Sequence, residues 1–218
     1  MSKERLVDQA YRHIKSLLLD GLVRDQNWFA IDELAGGLGI SRQPVMDAMK
    51  RLSLEGFIEI VPQVGCRVKS ASSSEIADFF RLFAASEGLI GQLAAERATS
   101  DDLLRLKLLS AQIGALGGWD GDNATRAQSY RLLNRQFHAE LRRVARSSAV
   151  GDIVERLADR SDFYIAQSGT AQFAEHVGPA HDEHEQILQA IERRDPALAR
   201  AASESHIAAA AARLHPAP

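Results

Sequence analysis

Three glycines and a serine within six residues place the strongest constraint on how this chain can fold. The segment 34–56 reads LAGGLGISRQPVMDAMKRLSLEG, with glycines at 36, 37 and 39 before Ser41. Because glycine tolerates positive φ at little cost, the chain can leave one helix here and enter another at a steep angle. We expect the Ser41 hydroxyl to cap the second helix, where Pro44 is tolerated because its missing N–H has no helical partner.

The second helix has two different faces. Apolar residues recur at steps of three and four, which predicts a face packed on a core, at Val45, Ala48, Met49 and Leu52. Gly56 ends the helix, and the alternation from Ile58 predicts a two-stranded hairpin with Val64 and Gly65 at its tip. Helix, turn, helix and hairpin together predict a winged helix-turn-helix.

A helix of this kind can place its first residues in the DNA major groove, where Arg reads guanine and Gln reads adenine. Arg42 and Gln43 are the candidates for base contacts. Basic side chains further along are candidates for phosphate contacts, which position the domain and make binding salt dependent. The predicted DNA-binding residues are Ser41, Arg42, Gln43, Lys50, Arg51, Gly65 and Arg67. An ordinary helical domain with solvated charges is the alternative.

Composition and charge limit the number of domains, the location of the protein and its affinity for DNA. The 218 residues suffice for two modest domains, and we expect a cytoplasmic protein without a membrane span or secretory signal. Residues 1–70 hold ten Lys/Arg against nine Asp/Glu, whereas the remainder holds sixteen against twenty. The small positive excess predicts moderate DNA affinity for one subunit, so tight binding would need a homodimer on an inverted repeat.

After the polar stretch SASSS the pattern becomes wholly helical, which predicts a first domain at 1–70 and a second at 75–215. Two helices precede residue 118, and four more are predicted over 123–146, 149–168, 179–193 and 196–214. Asp195 and Pro196 suit the cap and first position of the last helix. Six helices with short loops predict a mainly α fold, with an antiparallel six-helix bundle after the winged domain.

Three histidines lie on apolar faces of three different predicted helices. His138 shares its face with Asn134 and Leu141, His184 lies on an isoleucine and leucine stripe, and His206 lies on an alanine stripe. Burial of imidazoles without partners is costly, and a divalent metal would satisfy one nitrogen of each. Separate histidines, each hydrogen-bonded within the core, are the alternative.

The segment LAGGLGISRQPVMDAMKRLSLEGFIEIVPQVGCRV resembles the DNA-binding half of GntR-type bacterial transcription regulators. Arg42 stands where that family has a base-contacting arginine, and Gly65 where its wing tip approaches the minor groove. Met46 departs from the pattern, because the family usually has a basic residue there. The resemblance implies a sequence-specific regulator, usually a repressor, that binds an operator as a homodimer.

The segments NRQFHAEL and HEQILQAIERRDPALARAASESHI are similar to the FCD ligand-binding domain of the FadR-like subgroup. The resemblance implies a divalent metal, such as zinc, nickel or manganese, at the floor of an effector cavity. Its implied ligands are His138, His184, His206 and Asn134. Asn134 stands where many members have aspartate, and a neutral amide oxygen is the weaker ligand.

The same resemblance implies a small-molecule effector, commonly a carboxylate. Phe83 occupies the position where the subgroup commonly has an arginine, which weakens the expectation of a carboxylate, and Arg131 and Arg142 are the candidates to supply positive charge instead. The candidate effector-binding residues are Phe83, Tyr130, Arg131, Arg142 and Tyr164. Two alternatives remain at this point: a metal-dependent enzyme that uses the three histidines, and a dimerisation module with a degenerate wing.

Overall fold

The computed structural model describes residues 3–23, 28–168 and 176–214. The chain forms two compact units. One comprises Met1–Ser72 with Asp162–Ser168, and the other comprises Ser73–Ser161 with Gly169–Pro218. The fold is mainly α, with one two-stranded sheet among the described residues. No helix in this part of the chain is long and apolar enough to span a membrane.

The first unit is the predicted winged helix-turn-helix. In chain order it contains α1 (Lys3–Leu19), α2 (Ile31–Leu38), α3 (Arg42–Leu54), β1 (Ile58–Val61) and β2 (Gly65–Val68). The strands are antiparallel and pair Ile58 with Val68 and Val61 with Gly65. The apolar face of α3 is buried as predicted, and α1 packs against this helix.

Gly39 is the glycine that the turn between α2 and α3 requires. Its φ is +64°, and its amide donates to the Gly36 carbonyl at 3.1 Å. The other two glycines lie within α2. Ser41 occupies the N-cap position with extended backbone, but its side chain makes no capping hydrogen bond, so the predicted hydroxyl cap is wrong. The Ser41 hydroxyl is therefore not committed to the first turn of α3.

The hairpin turns one residue earlier than predicted. Positive φ occurs at Gln63, in the turn between the strands, whereas Gly65 is the first residue of β2. Gly65 has φ +152°, and a Cβ there would meet the Trp28 ring at 3.4 Å. Trp28 forms a bridge with Arg67 beside this sheet. The backbone at Gly65 therefore favours glycine because of its positive φ, while the space beside Trp28 would admit a Cβ in ordinary contact. The sequence pattern did not predict this contact with Trp28.

Six helices follow. They are α4 (Ser73–Arg97), α5 (Ser100–Ala115), α6 (Asn123–Val144), α7 (Ser148–Ser168), α8 (Val177–Glu192) and α9 (Pro196–Leu214). Asp195 caps α9 as predicted, since its Oδ1 accepts from the Leu198 amide at 3.0 Å. The predicted ranges placed all of α7 in the second domain, but Asp162–Ser168 groups with the first unit, where Phe163 packs edge-on against Phe57.

The packing of α4 on α9 is very close. A Cβ at Gly91 would lie 2.7 Å from the Ala199 carbonyl oxygen, so only glycine fits at this point of α4. Glycine in mid-helix costs free energy relative to alanine, and here the cost is offset by the approach of the two backbones. This contact fixes the position of α9, which carries His206.

A buried carboxylate joins the start of α5 to the end of α6. Asp102 is 1% exposed and accepts from the Thr99 amide at 2.8 Å. It also accepts from Arg143 Nη2 at 2.5 Å and from Arg146 Nη2 at 2.6 Å. Burial alone would raise the pKa of Asp102, but hydrogen bonds from Thr99 and the two guanidinium groups hold it well below its usual range.

Replacing this charge should destabilise the protein in a pH-dependent way. Asp102→Asn is expected to lower the free energy of unfolding by about 2 kcal/mol at neutral pH, since it removes charge-assisted hydrogen bonds. Folding lowers the pKa of Asp102, so its charged form stabilises the folded protein above the pKa of an aspartate in the unfolded chain, about 3.9. This stabilisation is lost as the pH falls toward the lower pKa of Asp102 in the folded protein. Urea unfolding followed by circular dichroism measures both quantities. The control is the exposed neighbour Asp101→Asn, and equal stability of the two variants at neutral pH would contradict the assignment.

Candidate functional site

The outward face of α3 carries the predicted recognition residues. Arg42, Gln43 and Lys50 are exposed, whereas Val45 and Met49 are fully buried on the opposite face. Met46, in place of the basic residue that the resemblance leads one to expect, is partly exposed. The first turn of α3 is thus open to solvent, and it presents a guanidinium and a carboxamide as donors.

Carboxylates hold these donors in the free protein. The Arg42 guanidinium forms an ion pair with Asp32 of α2 at 3.0 Å. Asp47 Oδ1 accepts from Gln43 Nε2 at 3.0 Å and from Lys50 Nζ at 3.1 Å. Asp32 and Asp47 are two of the nine acidic residues that bring residues 1–70 close to neutral charge, and the role of Asp32 was not predicted. Its position ten residues before Arg42 gives no helical periodicity that could have revealed it.

Arg51 and Arg67, two further residues predicted to contact phosphates, form ion pairs within the protein. The Arg51 guanidinium lies 3.7 Å from the centre of the Tyr11 ring and pairs with Asp8 and Glu55 at 3.4 Å each. Arg67 pairs with Glu59 across the hairpin at 2.7 Å, beside Gly65. Arg51 therefore contributes to the packing of α3 against α1, while Arg67 lies on the hairpin.

The second unit brings the three predicted histidines together. His138 of α6, His184 of α8 and His206 of α9 are all buried, and one ring nitrogen from each lies within 4.8 Å of the others. The Nε2 atoms of His138 and His206 are 3.2 Å apart. His184 is completely buried, and its ring packs on Phe137 with 4.4 Å between ring centres. The three rings therefore lie at one place in the second unit, as a shared site requires.

Two of these rings have a carboxylate on their outer nitrogen. His138 Nδ1 lies 3.2 Å from Glu87 Oε2, and His206 Nδ1 lies 2.7 Å from Glu183 Oε2. Arg142 Nη1 lies 3.8 Å from Glu87, and Arg213 pairs with Glu183. The sequence did not predict that Glu87 and Glu183 contact these histidines. For Glu87 a signal existed, because it is the one charged residue on the buried face of α4.

Burial sets the charge of the cluster. It lowers the pKa of His184 far below the usual value, and the neighbouring His206 and His138 lower it further. Burial also lowers the pKa of His206, against the opposing effect of Glu183. For Glu87, burial alone would raise the pKa, but His138 and Arg142 lower it below its usual range. The lowered pKa values favour neutral rings at His184 and His206 and ionised carboxylates at Glu87 and Glu183.

Several buried polar atoms in this cluster lack a hydrogen-bond partner within the described part of the chain. They are His184 Nδ1 and Nε2, Asn134 Oδ1, Glu87 Oε1 and Arg142 Nη1. Asn134 precedes His138 by one helical turn on the same face of α6. Imidazole nitrogens and an amide oxygen are suitable donors for a divalent transition metal. The residues present therefore fit such an ion.

The predicted effector residues lie in different places. Tyr130 and Arg142 continue the face of α6 that carries Asn134 and His138 at steps of four residues, and Arg131 lies beside that face. Phe83 is buried one turn before Glu87 on α4. Tyr164 belongs to the first unit, where it contacts Phe163.

A cleft of about 530 Å³ lies between the end of α6 and the start of α7. Arg142, Arg143 and Arg146 line it together with Asp152 and Glu155. Of the five predicted effector residues, only Arg142 lines this cleft.

Comparison with known families identifies the chain. Residues 6–68 match the bacterial regulatory proteins of the gntR family, and residues 78–209 match the FCD domain. The chain belongs to the GntR family of transcription regulators. Regulators of this family bind DNA operators and small-molecule effectors. The chain is therefore a DNA-binding transcription regulator and not an enzyme, so the alternative of a metal-dependent enzyme is wrong.

Relatives and solved structures agree with this assignment. The chain is 26% identical to the HTH-type transcriptional repressor GlaR of Escherichia coli K12, over 90% of each chain. It is also 26% identical to the Exu regulon transcriptional regulator of the same organism, over 80% of this chain and 70% of that one. Its fold is similar to E. coli McbR/YncC, with a TM-score of 0.81, 20% identity and coverage of 99% and 98%. A putative GntR regulator from Rhodococcus sp. RHA1 gives a TM-score of 0.77 at 15% identity, with coverage of 97% and 98%.

The Asp47 carboxylate on α3 should weaken DNA binding measurably. Asp47→Asn removes a negative charge from this face and releases Lys50, so we expect several-fold tighter binding to random-sequence duplex DNA. The slope of log K against log salt should steepen by about one unit. Fluorescence anisotropy over a salt series measures both. Asp78→Asn is the matched control, because Asp78 also pairs with a cation three residues on, Arg81, but lies on α4. Identical salt slopes for the two variants would refute a role for Asp47.

Proposed function

We propose that the exposed face of α3 enters the major groove of an operator while the hairpin contacts the adjacent backbone. The supporting observation is the open first turn of α3, with Arg42 and Gln43 exposed at its start. In this proposal these two side chains read bases, and Ser41, Lys50, Arg51 and Arg67 contact phosphates. Gly65 allows the hairpin backbone to come close to the DNA. Residues 1–70 then serve as the DNA-binding domain.

The regulator is proposed to act as a homodimer on an inverted repeat. A first unit of nearly neutral charge binds DNA weakly alone, whereas two linked copies gain from their effective concentration. The two recognition helices would engage half-sites about 34–36 Å apart, one turn of DNA. Because its relative GlaR is named a repressor, repression is the proposed outcome.

Residues 75–215 are proposed to bind the effector and to hold the two subunits together. His138, His184 and His206, with Asn134, would hold a divalent zinc, nickel or manganese ion, as the unpartnered buried donor atoms suggest. When bound, the ion would supply positive charge that attracts a small carboxylate. The residues of the second unit proposed to surround that effector are Phe83, Tyr130, Arg131 and Arg142. Effector binding would favour one arrangement of the two DNA-binding domains, with a coupling of about 1–3 kcal/mol.

The recognition assignment is tested with Arg42→Ala. This change should abolish discrimination between the operator and random DNA, because one bidentate base contact contributes about 1–3 kcal/mol of specificity. Fluorescence anisotropy with DNA from upstream of the protein's own coding sequence provides the measurement. Lys50→Ala is the control, and it should weaken binding to all sequences alike. Absence of salt-sensitive, sequence-specific binding by the wild type would favour the dimerisation module with a degenerate wing.

Light scattering on the free protein and on its DNA complex tests the proposed dimer.

The metal assignment is tested by changing ligands and a neighbouring histidine. The double variant His184→Ala/His206→Ala should lose the ion, measured by elemental analysis after purification in metal-supplemented medium. His181→Ala is the matched control, since His181 lies one turn before His184 but contacts Ser110 instead. Asn134→Asp should bind the ion more tightly, because a carboxylate is a stronger ligand than an amide. Unchanged metal content in the double variant would place the ion elsewhere.

A further inference from the structure

Two glutamates contact the histidine cluster from outside, and their geometry defines which nitrogens can bind an ion. We infer that Glu87 and Glu183 are positioning residues that hold His138 and His206 with both Nε2 atoms free to ligate a metal. This inference rests on the metal site in the proposed function.

Glu87 fixes the orientation of His138. Its Oε2 lies 3.2 Å from His138 Nδ1, and the side chain is 1% exposed, so this contact is shielded from bulk water. An ionised carboxylate can only accept hydrogen bonds, hence Nδ1 must carry the proton. In a neutral imidazole the lone pair then resides on Nε2. Arg142, at 3.8 Å from Oε1, supplies the opposite charge that a buried carboxylate needs.

Glu183 does the same for His206 through different helices. Its Oε2 lies 2.7 Å from His206 Nδ1, and Arg213 pairs with its other oxygen. Glu183 directly precedes His184 in α8, so a single turn of this helix provides both a ring of the cluster and the carboxylate that orients another ring. Arg–Glu–His chains thus reach the cluster from two directions.

The result is a pair of nitrogens that face each other. The Nε2 atoms of His138 and His206 are 3.2 Å apart, and neither can donate to the other when both rings are neutral with Nδ1 protonated. Two lone pairs at this distance are stabilised by a cation or by one shared proton. Carboxylates behind ligating histidines also increase the basicity of the ligand nitrogen. The two glutamates therefore select the ligand atoms and favour the bound ion.

A third glutamate provides a contrast within the same helix. Glu185 Oε1 accepts from the Ser110 hydroxyl at 2.5 Å, and His181 Nδ1 lies 3.3 Å from that hydroxyl. Glu185 therefore binds a serine on α5 and orients none of the three clustered rings. It is a matched control for Glu183, two residues away.

The experiment uses the full-length protein stripped of metal with a chelator. Cobalt(II) is the probe, since its visible spectrum reports nitrogen ligation, and zinc competition gives the affinity. Glu87→Gln and Glu183→Gln should each bind cobalt 10–100-fold more weakly than wild type, while Glu185→Gln should bind within about threefold of it. Circular dichroism selects variants that keep the native helix content, and Glu183→Gln, at the more exposed position, serves if Glu87→Gln does not fold.

Histidine tautomers give a second measurement that needs no metal. Long-range ¹H–¹⁵N spectra of the metal-free wild type, at a pH that keeps the imidazoles neutral, should show His138 and His206 protonated on Nδ1. This form should decline in the glutamine variants, because a carboxamide can also donate. Nε2-protonated rings in the wild type, or undiminished cobalt affinity in both variants, would overturn the inference. Failure of the wild type to bind cobalt would refute the proposed metal site, while the tautomers still decide the positioning role.

Discussion

Burial of three imidazoles at one point is the constraint on which the second unit depends. His184 is fully buried, and no partner for either ring nitrogen occurs in the described part of the chain. Such burial costs free energy that the protein must recover elsewhere. The surrounding side chains reflect this requirement, because the nearest carboxylates lie behind two rings and each has an arginine beside it. The helices that carry these groups, α4, α6, α8 and α9, are thereby held together by polar contacts inside an apolar bundle.

In the first unit, surface cations are paired with surface carboxylates. The cations Arg42, Lys50 and Arg67 lie on α3 and the hairpin, and each has a carboxylate partner in the free protein. Asp32, Asp47 and Glu59 place negative charge among them at distances near 3 Å. Individual exposed pairs of this kind add little to stability. Their effect is on the potential of the surface, which stays close to neutral although it carries the residues proposed to contact DNA.

Sequence patterns predicted most of the fold, and the errors have physical causes. Periodicity located α3 and the helices of the bundle because buried faces repeat every three or four residues. The Ser41 cap failed because residue type identifies the position but not whether the hydroxyl turns toward the amides. Trp28 was missed because its partners Gly65 and Arg67 lie far along the chain, and Asp32 was missed because its spacing of ten residues from Arg42 crosses the turn between two helices and follows no helical period. The clustering of His138, His184 and His206 was predicted because each lies on an apolar stripe. The contact between Glu87 and His138 was not, because it depends on how α4 and α6 are aligned in the bundle.

The ion pairs of the first unit have a consequence for the search along a chromosome. If Arg42 and Lys50 contact DNA, they must first leave Asp32 and Asp47, so DNA binding exchanges intramolecular ion pairs for contacts with the nucleic acid. Random sequence offers phosphates in return but rarely base edges that match Arg42 and Gln43, so the net gain there is small. An operator offers both phosphates and matching base edges. The surface acidic residues would thus shorten the residence time at wrong sites more than at the right one.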